Sequence, residues 1–190
     1  DLSNKIQSAQ KPLIIIGESV LNLKSGGYIF EGMKNYLSSI NKINDKWNSL
    51  NVLLKNASSV GSCDLNILNP TEGKNLVYKK TLNNEFEIIF LIGQDKLNFK
   101  KKNEFIIYIG SHGDKGAEIA DIILPGATYT EQNGYFTNLE GKVQKAFKSS
   151  YPPGEAKEDW QIINELAEIM NNRKLFNDKD ELESSMFNFI

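Results

Sequence analysis

Three short runs of the chain are apolar without a polar break, at 13–16, 88–92 and 105–109. Each is rich in β-branched or aromatic residues, and each ends at a glycine: Gly17, Gly93 and Gly110. A fourth run, 122–124, is stopped by Pro125-Gly126. Continuous apolar runs of this length, bounded by turn residues, predict strands covered on both faces, as in a parallel sheet. The glycines let the chain turn sharply where the strands stop.

Between these runs the period lengthens to three or four. A short helix is expected over 1–10, before Pro12. Over 27–40, Ile29, Met33, Tyr36, Leu37 and Ile40 fall on one helical face. Leu50, Leu53, Leu54 and Ala57 repeat that spacing and predict a helix over 47–60. Residues 115–120 suit one or two helical turns. The polar stretch 66–84, with Pro70 and Gly73, reads as a long loop. After Gly126 the texture changes. Residues 135–137 and 143–147 alternate as a hairpin would, and Pro152-Pro153-Gly154 closes that region. The clearest helix is 155–170, with Trp160, Ile163, Leu166, Ala167 and Met170 on one face. Glu155, Glu158 and Asp159 sit at its positive N-terminus. The tail from Asn171 is polar, with Met186, Phe187 and Phe189 near its end. Strands alternating with helices define an α/β fold: a largely parallel sheet with flanking helices, and a small extended subregion near the C-terminal third. A single domain over 1–190 is expected at this length.

Composition excludes more than it assigns. Hydrophobic residues make up 40% and charged residues 24%, with a net charge of −2. Mean hydropathy is −0.39. No strong field points to nucleic acid. No apolar run approaches the roughly 18 residues of a membrane span. One cysteine, Cys63, and one histidine, His112, cannot assemble an iron–sulfur cluster or a zinc site. The glycosylation sequon at Asn56 has no secretory context and reads as chance. The chain opens on Asp1, as expected after removal of a leader or for a piece of something longer. Richness in Lys, Asn and Ile suits an AT-rich genome, mitochondrial or intracellular bacterial.

Candidate chemistry is sparse. The loop Gly110-Ser-His-Gly113-Asp-Lys-Gly116 follows a strand and offers backbone amides, as a phosphate cradle would. The same glycines also suit a plain strand-to-helix turn. His112 is a candidate proton donor, yet a lone loop histidine is more often structural. Ser111 beside it has no triad geometry. Glu131 and Glu140 have no fixed separation for acid–base chemistry. Lys100, Lys101 and Lys102 read as a solvated turn.

One long segment carries a resemblance. From 111 to 168 the chain holds Ala120-Asp121-Ile-Ile-Leu124-Pro125, Thr130-Glu131, Gly134, and Asn138-x-Glu140-Gly141-x-x-Gln144. It then holds Pro152-Pro153-Gly154-x-Ala156-x-x-Asp159-Trp160. This resembles the C-terminal region of the large, 75 kDa-type iron–sulfur subunits of respiratory complex I, which is itself similar to molybdopterin oxidoreductases such as formate dehydrogenase. The resemblance implies a structural, accessory domain of the hydrophilic arm, supporting NADH-to-ubiquinone electron transfer coupled to proton translocation. It implies no catalytic residue, metal or redox cofactor here. Iron–sulfur clusters are then expected in the cysteine-rich N-terminal part of the subunit, and FMN elsewhere in the complex. His112, Gly113, Asp121, Glu131, Asn138, Glu140 and Gly141 would be the remains of a pterin region. Lys142 stands where the pattern usually has arginine, and lysine cannot reproduce arginine's planar, bidentate contacts. Expected partners are other complex I subunits, above all the iron–sulfur part of the same subunit, with no nucleic acid and no direct membrane span. The expected location is the matrix side of the mitochondrial inner membrane, or the cytoplasmic side of a bacterial membrane. The chain is then either one half of a split subunit or a fragment of a longer one. The rival readings are a fragment of an active molybdopterin oxidoreductase and a free-standing interaction module.

Overall fold

A computed structural model describes residues 1–67, 76–96 and 100–189. The chain divides into two compact units, Asp1–Gly61 with Phe136–Gln144, and Ser62–Tyr135 with Lys145–Ile190.

The first unit begins with α1 (Leu2–Ser8), whose N-cap Asp1 accepts a hydrogen bond from the Ser3 amide. Next come β1 (Ile14–Gly17), α2 (Glu18–Leu21) and α3 (Gly26–Ser39). The apolar stripe foreseen for α3 is used: Leu37 is fully buried with Ile16 and Leu50, and Met33, Tyr36 and Ile40 pack around them. The helix expected over 47–60 does not form. Asn41 takes a left-handed conformation, and the Asn44 side chain accepts from the Lys46 and Trp47 amides. This local turn sets β2 (Ile43–Asn44) antiparallel to β3 (Trp47–Asn48). The chain continues as β4 (Leu50–Leu53), parallel to β1 with Ile14 opposite Leu50. The Trp47 indole N–H donates to the Pro12 carbonyl at 2.9 Å and fixes that crossing. Leucines at helical spacing were overridden by side-chain turn chemistry and by pairing with a distant strand. The helix that does form here, α4, lies later, at Ser59–Asp64.

In the second unit, α5 (Leu76–Leu82) occupies part of the stretch read as a loop, while 68–75 lie outside the described residues. The strands β5 (Ile88–Ile92), β6 (Phe105–Gly110) and β7 (Ile122–Pro125) follow the foreseen runs closely. They form a parallel sheet in the order β5-β6-β7, with Leu91 opposite Tyr108 and Ile109 opposite Leu124. Between the last two lies α6 (Lys115–Ile119). One sheet face buries Leu91, Ile106 and Tyr108 against Ala117, Ile119 and Ala120. The alternate residues face the other way, and there Ile88, Phe90, Ile92, Phe105 and Ile122 remain exposed. The second face buries Ile109, and Ile123 on the first stays 53% exposed, so within the described residues the expected burial of both faces is met in part.

The strands β8 (Gly134–Thr137) and β9 (Val143–Ala146) form a two-stranded hairpin, as the alternation foretold. The chain then enters α7 (Asp159–Asn171) through a reciprocal capping box between Glu158 and Gln161. That box starts the helix four residues later than the charge pattern suggested. The foreseen face is also rotated: Ile162 and Asn164 are buried, whereas Met170 is 76% exposed. Asn164 turns inward because its amide serves the following loop, accepting from the Leu175 and Phe176 amides and donating to the Phe176 carbonyl at 2.8–3.0 Å. The polar tail forms α8 (Lys179–Phe189). Tyr135 holds it through an edge-on contact with Phe187 and a 2.7 Å hydrogen bond to Glu183, which also pairs with Lys145.

Candidate functional site

The C-terminal ends of β5, β6 and β7 open on a cavity of about 370 Å³. In open parallel sheets this edge is where ligands bind. It is lined by Gly93, Asp95, Tyr108, Gly110, Ser111, His112, Ala127, Thr128, Tyr129, Gln132 and Asp159. Tyr108 organises it. It is 1% exposed, and a Cβ added at Gly110 or Gly116 would come within 2.5 Å or 2.6 Å of its ring. Those two glycines therefore make room for an aromatic ring. The Tyr108 hydroxyl donates to Asp95 Oδ2 at 3.1 Å and lies 3.2 Å from the His112 carbonyl. The Asp95 Oδ1 accepts from the Gly116 amide at 3.3 Å, in the first turn of α6.

Burial pushes the Tyr108 phenol up to about 12, and the bonded Asp95 carboxylate adds to the shift. A phenol whose folded value exceeds its unfolded one stabilises the fold below the unfolded value, near 10. That contribution is lost as pH rises through about 12. Absorbance titration should show a tyrosine that ionises near pH 12, with a loss of roughly 2 kcal/mol of stability between pH ~10 and ~12. The absence of any tyrosine ionising above pH ~11 contradicts this environment.

Asp159 is the second carboxylate. It is the first residue of α7, and its Oδ1 is buried and accepts no hydrogen bond from a described residue. A Cβ at Gly126 would stand 2.6 Å from that oxygen. Burial raises the Asp159 carboxyl above the usual carboxylate range.

The residues singled out from the sequence are dispersed. His112 lies on the cavity wall, exposed, its Nδ1 2.8 Å from Ser111 Oγ. Gly113 is exposed in the same loop. Asp121 sits at the opposite edge of the sheet, before β7. It accepts from the Ile106 amide at 2.8 Å and pairs with Lys101 at 2.5 Å, and these contacts hold its carboxyl below the usual range. Lys101 thus belongs to a sheet-edge clasp, beyond the solvated turn expected for the lysine run. Glu131 closes a turn by accepting from the Thr128 amide. Asn138 Oδ1 accepts from the Glu140 and Lys142 amides in the β8–β9 turn, where Gly141 has φ +79°. These last three residues, Asn138, Glu140 and Gly141, fall in the first unit. The structure brings only His112 and Gly113 to the strand ends. Asp95, Tyr108 and Asp159 were passed over, because Asp95 stands outside the glycine loop and Asp159 reads as an ordinary first-turn carboxylate.

The cavity does not fit the diphosphate of a pterin cofactor. Neither lysine nor arginine lines it. The α6 amide that a phosphate oxygen would take already serves Asp95. Asp114 stands at the N-cap position of the same helix without a side-chain cap bond, and Lys115 and Glu118 in its first turn offset one another, so no net positive charge gathers at the cradle.

Residues 1–169 match the molybdopterin oxidoreductase family, and the chain belongs to it. Among its relatives, the 75 kDa subunit of NADH-ubiquinone oxidoreductase from Reclinomonas americana is 39% identical over 95% of this chain and 26% of its own length. The mitochondrial 78 kDa subunit from Candida albicans is 37% identical over 93% of this chain and 24% of its own. A bacterial counterpart, a subunit of the NADH-quinone oxidoreductase of Rickettsia bellii, is 37% identical over 97% of this chain and 26% of its own. The chain spans about a quarter of the length of these relatives.

Proposed function

We propose that this chain is an accessory, structural part of the hydrophilic arm of a proton-translocating NADH:ubiquinone oxidoreductase. In this reading it is the C-terminal portion of the large iron–sulfur subunit, as a split subunit or as part of a longer one, without a redox cofactor of its own. The observation that carries the reading is the match of 37–39% identity over 93–97% of the chain to the 75 kDa and 78 kDa subunits and their rickettsial counterpart. The diphosphate-hostile strand edge supports a role other than molybdopterin catalysis. The bare face of Ile88, Phe90, Ile92, Phe105 and Ile122 supports a packing role. A parallel sheet is ordinarily covered on both sides. The relatives carry about three times more chain than the matched quarter, and that remainder is the proposed cover. The complex would sit at the mitochondrial inner membrane on the matrix side, or at a bacterial membrane on the cytoplasmic side. No helix among the described residues is long and apolar enough to cross a membrane.

Gently solubilised membranes, resolved on a native gel and analysed by mass spectrometry, test this reading. The chain is expected to co-migrate with the band that oxidises NADH. Migration elsewhere, with molybdenum in the same fraction, overturns the reading in favour of a molybdopterin enzyme.

A further inference from the structure

We propose that α8 is a releasable strap: a polar latch at Glu183 holds it over an apolar cavity, and its release uncovers that cavity.

The cavity lies within the second unit and measures about 530 Å³. Leu65 and Ile67, just after α4, line it together with Trp160 of α7. The helix α8 adds Leu182, Met186 and Phe189. Their spacing of four and then three residues puts them on one helical face. A packed seam would leave no gap of this size, because protein interiors hold few voids larger than a water molecule. The apolar row of α8 therefore borders its seat without filling it. None of the residues of α8 is buried, and Phe189 is 64% exposed.

Polar contacts hold the helix instead. Glu183 accepts from the Tyr135 hydroxyl at 2.7 Å and from Lys145 Nζ at 2.7 Å. The Lys145 ammonium also lies 5.1 Å from the centroid of the Tyr135 ring. One carboxylate thus ties α8 to both strands of the β8–β9 hairpin. At the start of the helix, Lys179 pairs with Glu158 and donates to the Asn133 carbonyl at 3.1 Å. Asp178 caps the first turn by accepting from the Glu181 amide at 2.9 Å. The start is anchored, and Glu183 is a single clasp one turn further on. Past it the helix leans on the edge-on contact of Phe187 with Tyr135, and Phe187 is still 46% exposed.

An element with few buried apolar contacts opens at a lower free energy than the core it rests on. A helix of 11 residues is too short to persist in water by itself, so α8 unwinds when it leaves its seat. Opening therefore exposes its backbone amides, which makes release measurable.

Hydrogen–deuterium exchange with mass spectrometry, on the native assembly that holds the chain, tests the proposal. The amides of 183–189 in α8 are expected to exchange faster than those of 163–168 in α7 by about tenfold or more. In a Glu183→Ala assembly the α8 amides should speed up again by about tenfold, as for loss of a hydrogen bond to a charged group, with α7 unchanged. Equal protection of the two helices in the unmodified assembly overturns the proposal. So does a Glu183→Ala assembly in which α8 is unchanged or better protected, or in which α7 accelerates as much as α8. If the variant does not assemble, the unmodified assembly at low and high salt decides. Screening the Lys145–Glu183 pair should speed exchange in α8 more than in α7, and an equal response overturns the proposal. The measurement follows peptides of this chain in whatever assembly contains it, so its result is independent of whether that assembly oxidises NADH.

Discussion

Replacing Glu158 by alanine should destabilise the chain by about 3 kcal/mol, the lower end for removing one member of a buried ion pair. No other carboxylate among the described residues holds as many separate elements. Glu158 is 7% exposed. Its side chain caps α7 in a reciprocal box with Gln161. It accepts from the Trp160 indole at 3.1 Å and from Lys148 at 3.3 Å, and Lys179 at the start of α8 closes on its other side. Alanine removes the cap and every one of these acceptor contacts. The two lysines keep 33% and 22% of their side-chain exposure, so they rehydrate, which keeps the cost at the lower end. With an m-value of roughly 2 kcal/mol per M, the urea midpoint should fall by about 1.5 M. Glu158→Gln retains acceptor and shape and should lose less than the alanine variant. Equal losses in the two variants would mean that the charge, and not the cap, dominates.

The same residue fixes the sign of an acid response. Burial alone would raise the Glu158 carboxyl. Lys179, through its hydrogen bond and its charge, together with Trp160 and Lys148, overcomes this and holds it below its ordinary value of 4.5. A depressed carboxyl contributes stability that is complete above its unfolded value and lost as pH falls through its folded value. Stability of the native chain should therefore drop below pH 4.5, and Glu158→Gln should flatten that drop.

The apolar runs foretold β1, β5, β6 and β7 within a residue or two, because a strand in a parallel sheet depends on unbroken apolar sequence more than on its neighbours. The helix expected at 47–60 failed for the converse reason. Its leucines satisfy a helix and a strand equally, and the choice was made by Asn44 and by pairing with β1, far back in the sequence. Asn164 shows a third limit. A buried asparagine within a helix looks like an error of patterning until its partners at 175 and 176 are known. The strand-end cavity was half legible. The glycine loop marks where it lies, but spacing cannot tell whether Gly110 and Gly116 admit a phosphate or a tyrosine ring. Asp95 and Asp159 are distant in sequence and line one cavity only in the fold.

Glycines in one helix should give opposite results on substitution. Gly26, Gly27 and Gly32 all lie in α3. Gly26→Ala should be strongly destabilising, by about 3 kcal/mol, at the upper end for forcing extra volume into a packed site. A Cβ there would stand 2.3 Å from the Leu21 carbonyl oxygen and 2.7 Å from the Val20 oxygen. These are backbone atoms at the end of α2, and a rotamer change cannot relieve the clash. Nor can α2 easily withdraw, because Val20 and Leu21 pack on the cluster of Ile16, Leu37 and Leu50. Gly32 is exposed with nothing within 4 Å of its would-be Cβ. There alanine removes backbone entropy from the unfolded chain and meets no obstacle, so Gly32→Ala should stabilise by about 1 kcal/mol. For a chain of this size the melting midpoint should rise by about 2–4 °C in Gly32→Ala. In Gly26→Ala it should fall by about 6–12 °C. A neutral Gly26→Ala would place α2 farther from the start of α3 than this fold allows. A destabilising Gly32→Ala would mean that a surface covers the outer side of α3, and partner subunits would then be the place to look for it.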